Sequence, residues 1–321
     1  MGPALCLVSA ACFGAMAIFG KLAYSAGVSP EALLLVRFGL AAAVLAALLL
    51  LRPGLRHSPP SPAPVPHSGR VTAGVLGTAV GLGAVGYAAQ ASLYFSALEL
   101  VDASLLSLIF YTYPLLVTVA AVLLGRDRLT PGRAAALVAA SCGTLLVLLG
   151  SGGLDFNPLG ALLAVGTSIT YTVYILVSDT VVHRLPPVVL SALVMTGATF
   201  TLAVRALLTG GVDLGFGARG WFWLACIAVV STVVAMLAFF AGLRRTGPST
   251  AAILSTFEPV VTTALAALTL AEFLTPVQLA GGLLVLSSAA VLQARPARAG
   301  RRDRGTAAAP EDGRRDHAIP V

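Results

Sequence analysis

Few side chains in this 321-residue sequence can carry chemistry, because only 10% are charged and most of those sit at the ends of apolar runs. Glu258 stands apart from the rest. It lies about nine residues into such a run, ~14 Å deep at about 1.5 Å per residue, near the middle of a hydrocarbon layer ~30 Å thick. A carboxyl group at that depth must be protonated, paired or facing water, since an isolated buried charge is costly. The next residue, Pro259, has no N–H to give the carbonyl of Ser255, so it frees an acceptor beside the acid and kinks the helix. Ala251, Ser255, Thr262 and Ala266 share the helical face of Glu258 as a small and polar stripe. Two readings follow: a substrate or proton site at a kinked helix, or a carboxyl that hydrogen-bonds backbone at the kink.

Arg37 is the second candidate. It lies about six residues inside its own apolar run, close enough to the surface for its long stem to snorkel, or placed to bond a helix end, to bind an anionic group in a cavity or to pair with Glu258. Thr167, Tyr171, Tyr174 and Ser178 form a polar-aromatic stripe on one run, and Gln90 and Tyr94 do so on another. Each offers hydroxyl or amide partners beside apolar ring faces, although tyrosines near helix ends also serve as interface anchors. Lys21 and Glu31 flank a loop and read as interfacial. Cys6, Cys12, Cys142 and Cys226 lack ligand spacing and read as small buried hydrophobes, and His57, His67, His183 and His317 fall in loops or the tail, so no metal site is visible. Gly81 and Gly83 sit within an apolar run, without the strand-turn-helix context of a nucleotide site. Gly74, Gly77, Gly81 and Gly86 read as residues that permit close helix approach. No catalytic group and no cofactor is expected.

The elements that position these residues follow from composition. A sequence 58% hydrophobic and 10% charged excludes an ordinary soluble protein, which has about 45–50% apolar and about 25% charged residues. With about 20 apolar residues per span, the runs between Pro, Gly and charge boundaries predict an all-α integral membrane protein with ten transmembrane helices. These fall near 3–24, 31–51, 71–94, 103–124, 132–150, 157–178, 187–208, 219–242, 249–270 and 276–294. The first lacks the basic region of a secretory signal and is expected as a retained span. Residues 52–70 are Pro-rich and polar and predict an extended cytoplasmic connector; 295–321, with seven Arg and four acids, predict a disordered basic tail.

The net charge of +7 resolves on this map. Even-numbered loops and the tail hold Arg52, Arg56, Arg70, Arg126, Arg128, Arg133, Arg184, Arg244, Arg245 and the tail arginines, whereas odd-numbered loops hold Lys21, Arg205 and Arg219 among the acids Glu99, Asp102, Asp155, Asp213 and Glu272. The positive-inside rule then puts both termini in the cytoplasm. Short basic loops of this kind are topology signals facing an anionic leaflet, so no nucleic-acid partner is expected. The excess of Arg over Lys and the abundance of Ala point to a GC-rich bacterial genome, hence to a bacterial inner membrane.

An internal repeat organises the spans. At a shift of 145 residues the segment from Tyr94 lies over the segment from Phe239 without a gap, pairing Phe95 with Phe240, Ser104 with Ser249, Pro114 with Pro259, Thr118 with Thr263 and Leu129-Thr130-Pro131 with Leu274-Thr275-Pro276. Tyr113 occupies the place of Glu258. Units 1–150 and 151–294 each hold five spans, an odd number, so the second enters the membrane from the opposite side. Inverted-topology repeats are a transporter signature.

These residues resemble the EamA-type families of the drug/metabolite transporter superfamily. Arg37 in LLLVRFGL matches the early arginine of the family's second helix, and Tyr113-Pro114 and Phe257-Glu258-Pro259 match its proline motif. The family's closing Gly-Glu-Arg-Leu-Thr is altered here to Gly125-Arg126-Asp127-Arg128-Leu129-Thr130 and Ala271-Glu272-Phe273-Leu274-Thr275. The resemblance spans about residues 4–294 and implies a secondary transporter of small metabolites or drugs, often an exporter, working by alternating access. Proton coupling is a plausible energy source. Glu258, Arg37, Gln90, Tyr113, Tyr171, Tyr174, Ser255 and Thr262 are then the substrate- or proton-binding candidates, with Pro114 and Pro259 as kinks. Expected partners are the small-molecule substrate and membrane lipid, with a homodimer open. An integral membrane enzyme acting on lipid-linked substrates is the alternative; it would need a cluster of His, Asp, Glu or Lys at a membrane face. A scaffold or sensor would need a signalling domain.

Overall fold

The computed structural model describes residues 2–56, 72–125, 131–150, 157–178, 181, 184–246 and 254–293. Most of the connector 52–70, the run 126–130, Ala251, the four histidines and the tail lie outside them. Among the described residues the chain is all-helical. Proline sets many of the starts, because its fixed φ suits a first helical turn whose N–H groups are unpaired anyway. The helices are α1 (Gly2–Tyr24), α2 (Pro30–Leu51), α3 (Ala73–Gly81), α4 (Ala88–Leu100), α5 (Ala103–Phe110), α6 (Tyr113–Leu123) and α7 (Pro131–Gly150), followed by α8 (Pro158–Ser178), α9 (Pro187–Leu208), α10 (Ala218–Ala228), α11 (Ala235–Thr246), α12 (Glu258–Thr269) and α13 (Pro276–Gln293).

Among the described residues helix occupies part of each stretch expected from the sequence, and seven helical stretches are long and apolar enough to cross a membrane, three of them made of two helices in succession (α3–α4, α5–α6 and α10–α11). The surface fits that solvent: Leu51, Leu123, Leu207, Leu208 and Leu268 stand outward, each about four-fifths exposed, while Arg37, Gln90, Thr167, Ser168, Thr232 and Thr262 are buried. Three expectations need correction. The third span runs to Leu100 rather than stopping near residue 94, since Ala91, Phe95 and Leu98 continue its buried face and Glu99 points out. The connector after Leu51 opens with a 3-10 turn, Pro53–Arg56. Of the cysteines only Cys6 is buried, and Cys142 is exposed on α7.

The expected fourth and ninth spans are not continuous helices. The fourth breaks at Tyr111 and Thr112 between α5 and α6, and the ninth turns at Thr256 and Phe257 before α12. Pro114 and Pro259 are the cause, because neither can donate to the carbonyl four residues back. The local backbone tightens to i−3 bonds instead, from Thr112 N to Ile109 O (3.1 Å) and from Phe257 N to Leu254 O (3.2 Å). The stripe that would join Ser255 to Thr262 is therefore cut at its middle. Two other spans are rods with one π-helical turn: Leu82–Tyr87 joins α3 to α4, and Val229–Val234 joins α10 to α11.

Packing couples the two ends of the sequence. α1 lies against α10, α11 and α12; α8 lies against α4, α5 and α6; α2 crosses α9; α5 meets α12; and α7 runs along α13. Small residues allow these approaches. A Cβ on Gly83 would strike the backbone of Val194, and one on Gly197 would strike that of Val80, so the π-turn after α3 and α9 touch backbone to backbone. A Cβ on Gly143 would lie 2.7 Å from Gly281 O across α7 and α13. Gly77 and Gly81, in contrast, have no such neighbour within 4 Å, and Gly74 only Thr72 Oγ1 at 3.7 Å, so close packing at α3 falls to Gly83 rather than to them.

Gly197→Val is expected to cost about 1–3 kcal/mol through overpacking and to lower the thermal unfolding midpoint in detergent, while Gly77→Ala, in open space, leaves it unchanged or slightly raised. Equal midpoints for the two variants would contradict the backbone contact at Gly197.

Candidate functional site

Each proline break frees a carbonyl, and each freed carbonyl is met by a hydroxyl from another helix. Pro114 leaves Phe110 O, toward which Ser168 Oγ of α8 is directed at 3.3 Å, with Ile109 O at 3.2 Å. Pro259 leaves Ser255 O, and the Tyr111 hydroxyl lies 2.8 Å from it. The same hydroxyl lies 2.9 Å from Glu258 Oε2. Glu258 is the first residue of α12 and half-buried, with its backbone carbonyl packed against Gly14 of α1. Its position at a helix N-terminus also suits a carboxylate.

Aromatic rings surround this acid. Phe110 lies 5.3 Å from Tyr113, 5.2 Å from Tyr171 and 5.7 Å from Tyr94 between ring centroids. Tyr113 and Tyr171 meet edge to face at 4.9 Å, Tyr171 stacks on Tyr174 at 5.8 Å, and Tyr174 leads on to Tyr87 at 5.5 Å. Tyr111 joins through Tyr113 at 5.6 Å. Tyr94, Tyr113 and Tyr171 each feel the charge of Glu258, as does Tyr111. Six of the chain's seven tyrosines belong to this one network. Rings of this kind present flat apolar faces with polar edges, which suits an amphipathic small molecule.

Arg37 does not snorkel. It is 2% exposed, with Nε donating to Thr232 Oγ1 at 3.0 Å and the guanidinium 5.0 Å over Phe38 and 5.5 Å over Phe95. Thr232 in turn donates to Ile227 O at 3.0 Å, five residues back, a bond that the π-helical turn makes available. The Tyr87 hydroxyl, in the other π-helical turn, also interacts with Arg37. Arg37 forms no ion pair with Glu258, although the charges of both reach Tyr94.

The remaining candidates divide. Tyr113, Tyr171 and Tyr174 join the network, and Ser255 enters through its carbonyl. Gln90 is buried on α4 one turn before Tyr94 and hydrogen-bonds none of the ring residues. Thr262 Oγ1 lies 3.0 Å from Gly14 O of α1 and 3.2 Å from Glu258 O, so it links α1 to the backbone of the acid and not to its carboxyl. Thr167 and Ser178 bond their own helix at Leu163 O and Tyr174 O. Tyr111, Tyr87, Phe110 and Ser168 were not among the sequence candidates. For Tyr111 and Ser168 the available signal was the pair of carbonyls that Pro114 and Pro259 must free. A shallow depression of about 320 Å³ by Thr72, Thr78 and Arg184 is lined by none of these residues.

At one end of the helices Glu272 ties three elements together. Its Oε2 accepts from Ala103 N at 2.8 Å and Ser104 N at 3.5 Å, capping α5, whose own Asp102 makes no side-chain cap bond. Its Oε1 lies 4.0 Å from Lys21 Nζ at the end of α1. Ala271, which stands where the family has Gly, adopts a left-handed φ of 54° to turn the chain there. Glu31 pairs with Arg205 at 3.5 Å on the surface. Burial raises the Glu272 carboxyl above the usual carboxylate range, with Asp102 adding to the rise and Lys21 and the two N–H groups opposing it.

Comparison with known proteins decides what this arrangement belongs to. The sequence profile of the EamA-like transporter family matches residues 1–149 and 158–293. The chain belongs to the EamA-like transporter family. It is therefore a multi-pass membrane protein of a transporter family. It is 29% identical over 289 residues to an uncharacterized transporter of Bacillus subtilis, YcbK, covering 87% of this chain and 88% of that protein. A solved crystal structure with 22% identity shares the fold at a TM-score of 0.62, over 90% of this chain and 95% of the other.

The Glu272 contact gives a signed pH dependence. A raised folded-state value means that the native protein holds the proton to higher pH than the unfolded chain, so this group's contribution is full at acid pH and is lost as pH rises through the folded value. Thermal midpoints measured from acid to neutral pH should fall more steeply for the wild type than for Glu272→Gln, whose amide oxygen can still cap α5. A wild-type minus variant difference that does not change with pH would refute this.

Proposed function

We propose that this EamA-like chain is a secondary active transporter that moves a small metabolite or drug out across the bacterial inner membrane by alternating access, driven by protons taken up at Glu258. The observation that carries the reading is the single acid at the broken start of α12, faced by tyrosines from α4, α8 and the α5–α6 break. An acid amid apolar helices must exchange its charge or have it matched, and the surrounding rings offer a substrate surface beside it.

The proposed architecture is ten spans in two inverted halves, 1–150 and 151–294. Support comes from the packing: exchange of the first five spans with the last five carries α1 on α11 into α8 on α4, carries α1 on α12 into α8 on α6, and leaves α2 on α9 and α7 on α13 in place. The 145-residue shift also superposes Tyr113 and Glu258, the first residues of α6 and α12. Two such halves can trade conformations around a site between them. The arginine-rich even loops and tail favour cytoplasmic termini. The partners in this reading are the small-molecule substrate and lipid, and a second copy of the chain is a further candidate.

Metabolite profiling of cells with and without the gene supplies the substrate. In proteoliposomes, Glu258→Gln is then expected to abolish the pH dependence of its transport and to slow it at least tenfold; an unchanged rate and pH profile in a normally folded variant would sink the reading. Separately, a reporter fused after Arg295 is expected to be active only in the cytoplasm, and periplasmic activity would overturn the topology.

A further inference from the structure

The Tyr111 hydroxyl has one proton and two acceptors before it, Ser255 O at 2.8 Å and Glu258 Oε2 at 2.9 Å. A carbonyl can only accept, whereas a phenol donates once and can also accept. When Glu258 is protonated, its O–H donates to the Tyr111 oxygen and Tyr111 donates to Ser255 O, so both contacts are hydrogen bonds. When Glu258 is ionised it can only accept. The phenol proton then goes to the carboxylate, since a charge-assisted bond is roughly twice as strong as a neutral one, and Ser255 O loses that donor and faces phenol lone pairs instead.

We propose that Tyr111 is a positioning residue that transmits the protonation of Glu258 to the backbone break before α12. The protonated acid locks Ser255 O to the α5–α6 break of the first half, and release of its proton undoes that lock. The inference rests on Glu258 as the proton site and deepens it, by naming what the proton controls. Ser255 O is the carbonyl that Pro259 cannot serve, and its link to Tyr111 joins that break to the α5–α6 break. The other titratable groups facing Glu258 are Tyr94 of α4, Tyr113 of α6 and Tyr171 of α8. α1 brings Gly14 to it, and the Arg37 charge on α2 reaches Tyr94. Among the described residues Tyr111 alone donates a side-chain hydrogen bond to the Glu258 carboxyl.

The test is infrared difference spectroscopy between acid and alkaline buffer on the full chain in lipid vesicles, with ring-labelled tyrosine. The protonated-carboxyl C=O band that Glu258→Gln lacks should disappear as pH rises. A tyrosine C–O band that Tyr111→Phe lacks should shift with the same midpoint. In Glu258→Gln, whose amide N–H still donates to Tyr111, the tyrosine band should hold its acid position at every pH. If Tyr111→Phe fails to fold, the labelled wild type against Glu258→Gln decides the matter, because a pH-dependent tyrosine shift in the first and its loss in the second is the same signature. A carboxyl band that titrates while every tyrosine band stays fixed overturns the switch and leaves the proton role of Glu258 standing. Absence of a titrating carboxyl at position 258 overturns both.

Discussion

Inside hydrocarbon no water is at hand for a backbone carbonyl that has lost its donor, and each such group left bare costs several kcal/mol. Pro114 and Pro259 create two of them, and the centre of this protein is arranged around how they are met. Ser168 of α8 serves the carbonyl freed by Pro114, and Tyr111 of the α5–α6 break serves the one freed by Pro259. Each break is thus closed by a hydroxyl from the other end of the sequence. The two closures differ in chemistry. Ser168 shares its proton among backbone carbonyls only, Ile109, Phe110 and Ala164, whereas Tyr111 shares its proton with an acid. The hydroxyl at the α12 break thus has an ionisable neighbour, and the hydroxyl at the α6 break has backbone carbonyls.

Arg37 gives the other interruptions a common fixture. A π-helical turn offsets the bonding ladder by one residue, and Thr232 uses that offset to bond Ile227 O while accepting from the guanidinium. With Tyr87 of the second π-helical turn on its other side, and Phe38 and Phe95 under its plane, Arg37 ties α2 to both interrupted rods. A buried cation is costly in a membrane unless polar atoms and ring faces compensate it. The same requirement fixes where α2 can sit between the rods.

Hydrophobic runs and proline starts made the helices legible in the sequence, and Glu258 stood out because depth alone sets it apart. What periodicity does not encode is the fate of an individual carbonyl. The rule that Pro259 frees Ser255 O was available from the sequence, but the donor, Tyr111, is 144 residues away and is seen only once α5 is packed on α12. Both prolines read as kinks from the sequence; that each interrupts its span outright is visible only in the backbone, because apolar residues run through both stretches unchanged. Arg37 looked able to snorkel because distance along a helix was measurable and direction around it was not. The glycines divide for the same reason: Gly77 and Gly81 face open space, Gly86 meets Tyr174, and only the crossing of α9 singles out Gly83.

A packing scheme of this kind bears on how little is needed to move it. Lipid tails are as apolar as leucine, so helices in a membrane are held by close contact and a few hydrogen bonds, the latter averaging about 0.6 kcal/mol each. The bonds that cross between the two ends of the chain here include Ser9 to Ala235 O, Arg37 to Thr232, Thr262 to Gly14 O, Glu272 to Ala103 N, and the Tyr111 and Ser168 contacts. About 1.4 kcal/mol is a tenfold change in an equilibrium, so the loss of one or two such bonds shifts a balance between two arrangements substantially without unfolding either. Among these, the Tyr111 hydroxyl is the one that also meets an acid at the start of a helix, Glu258.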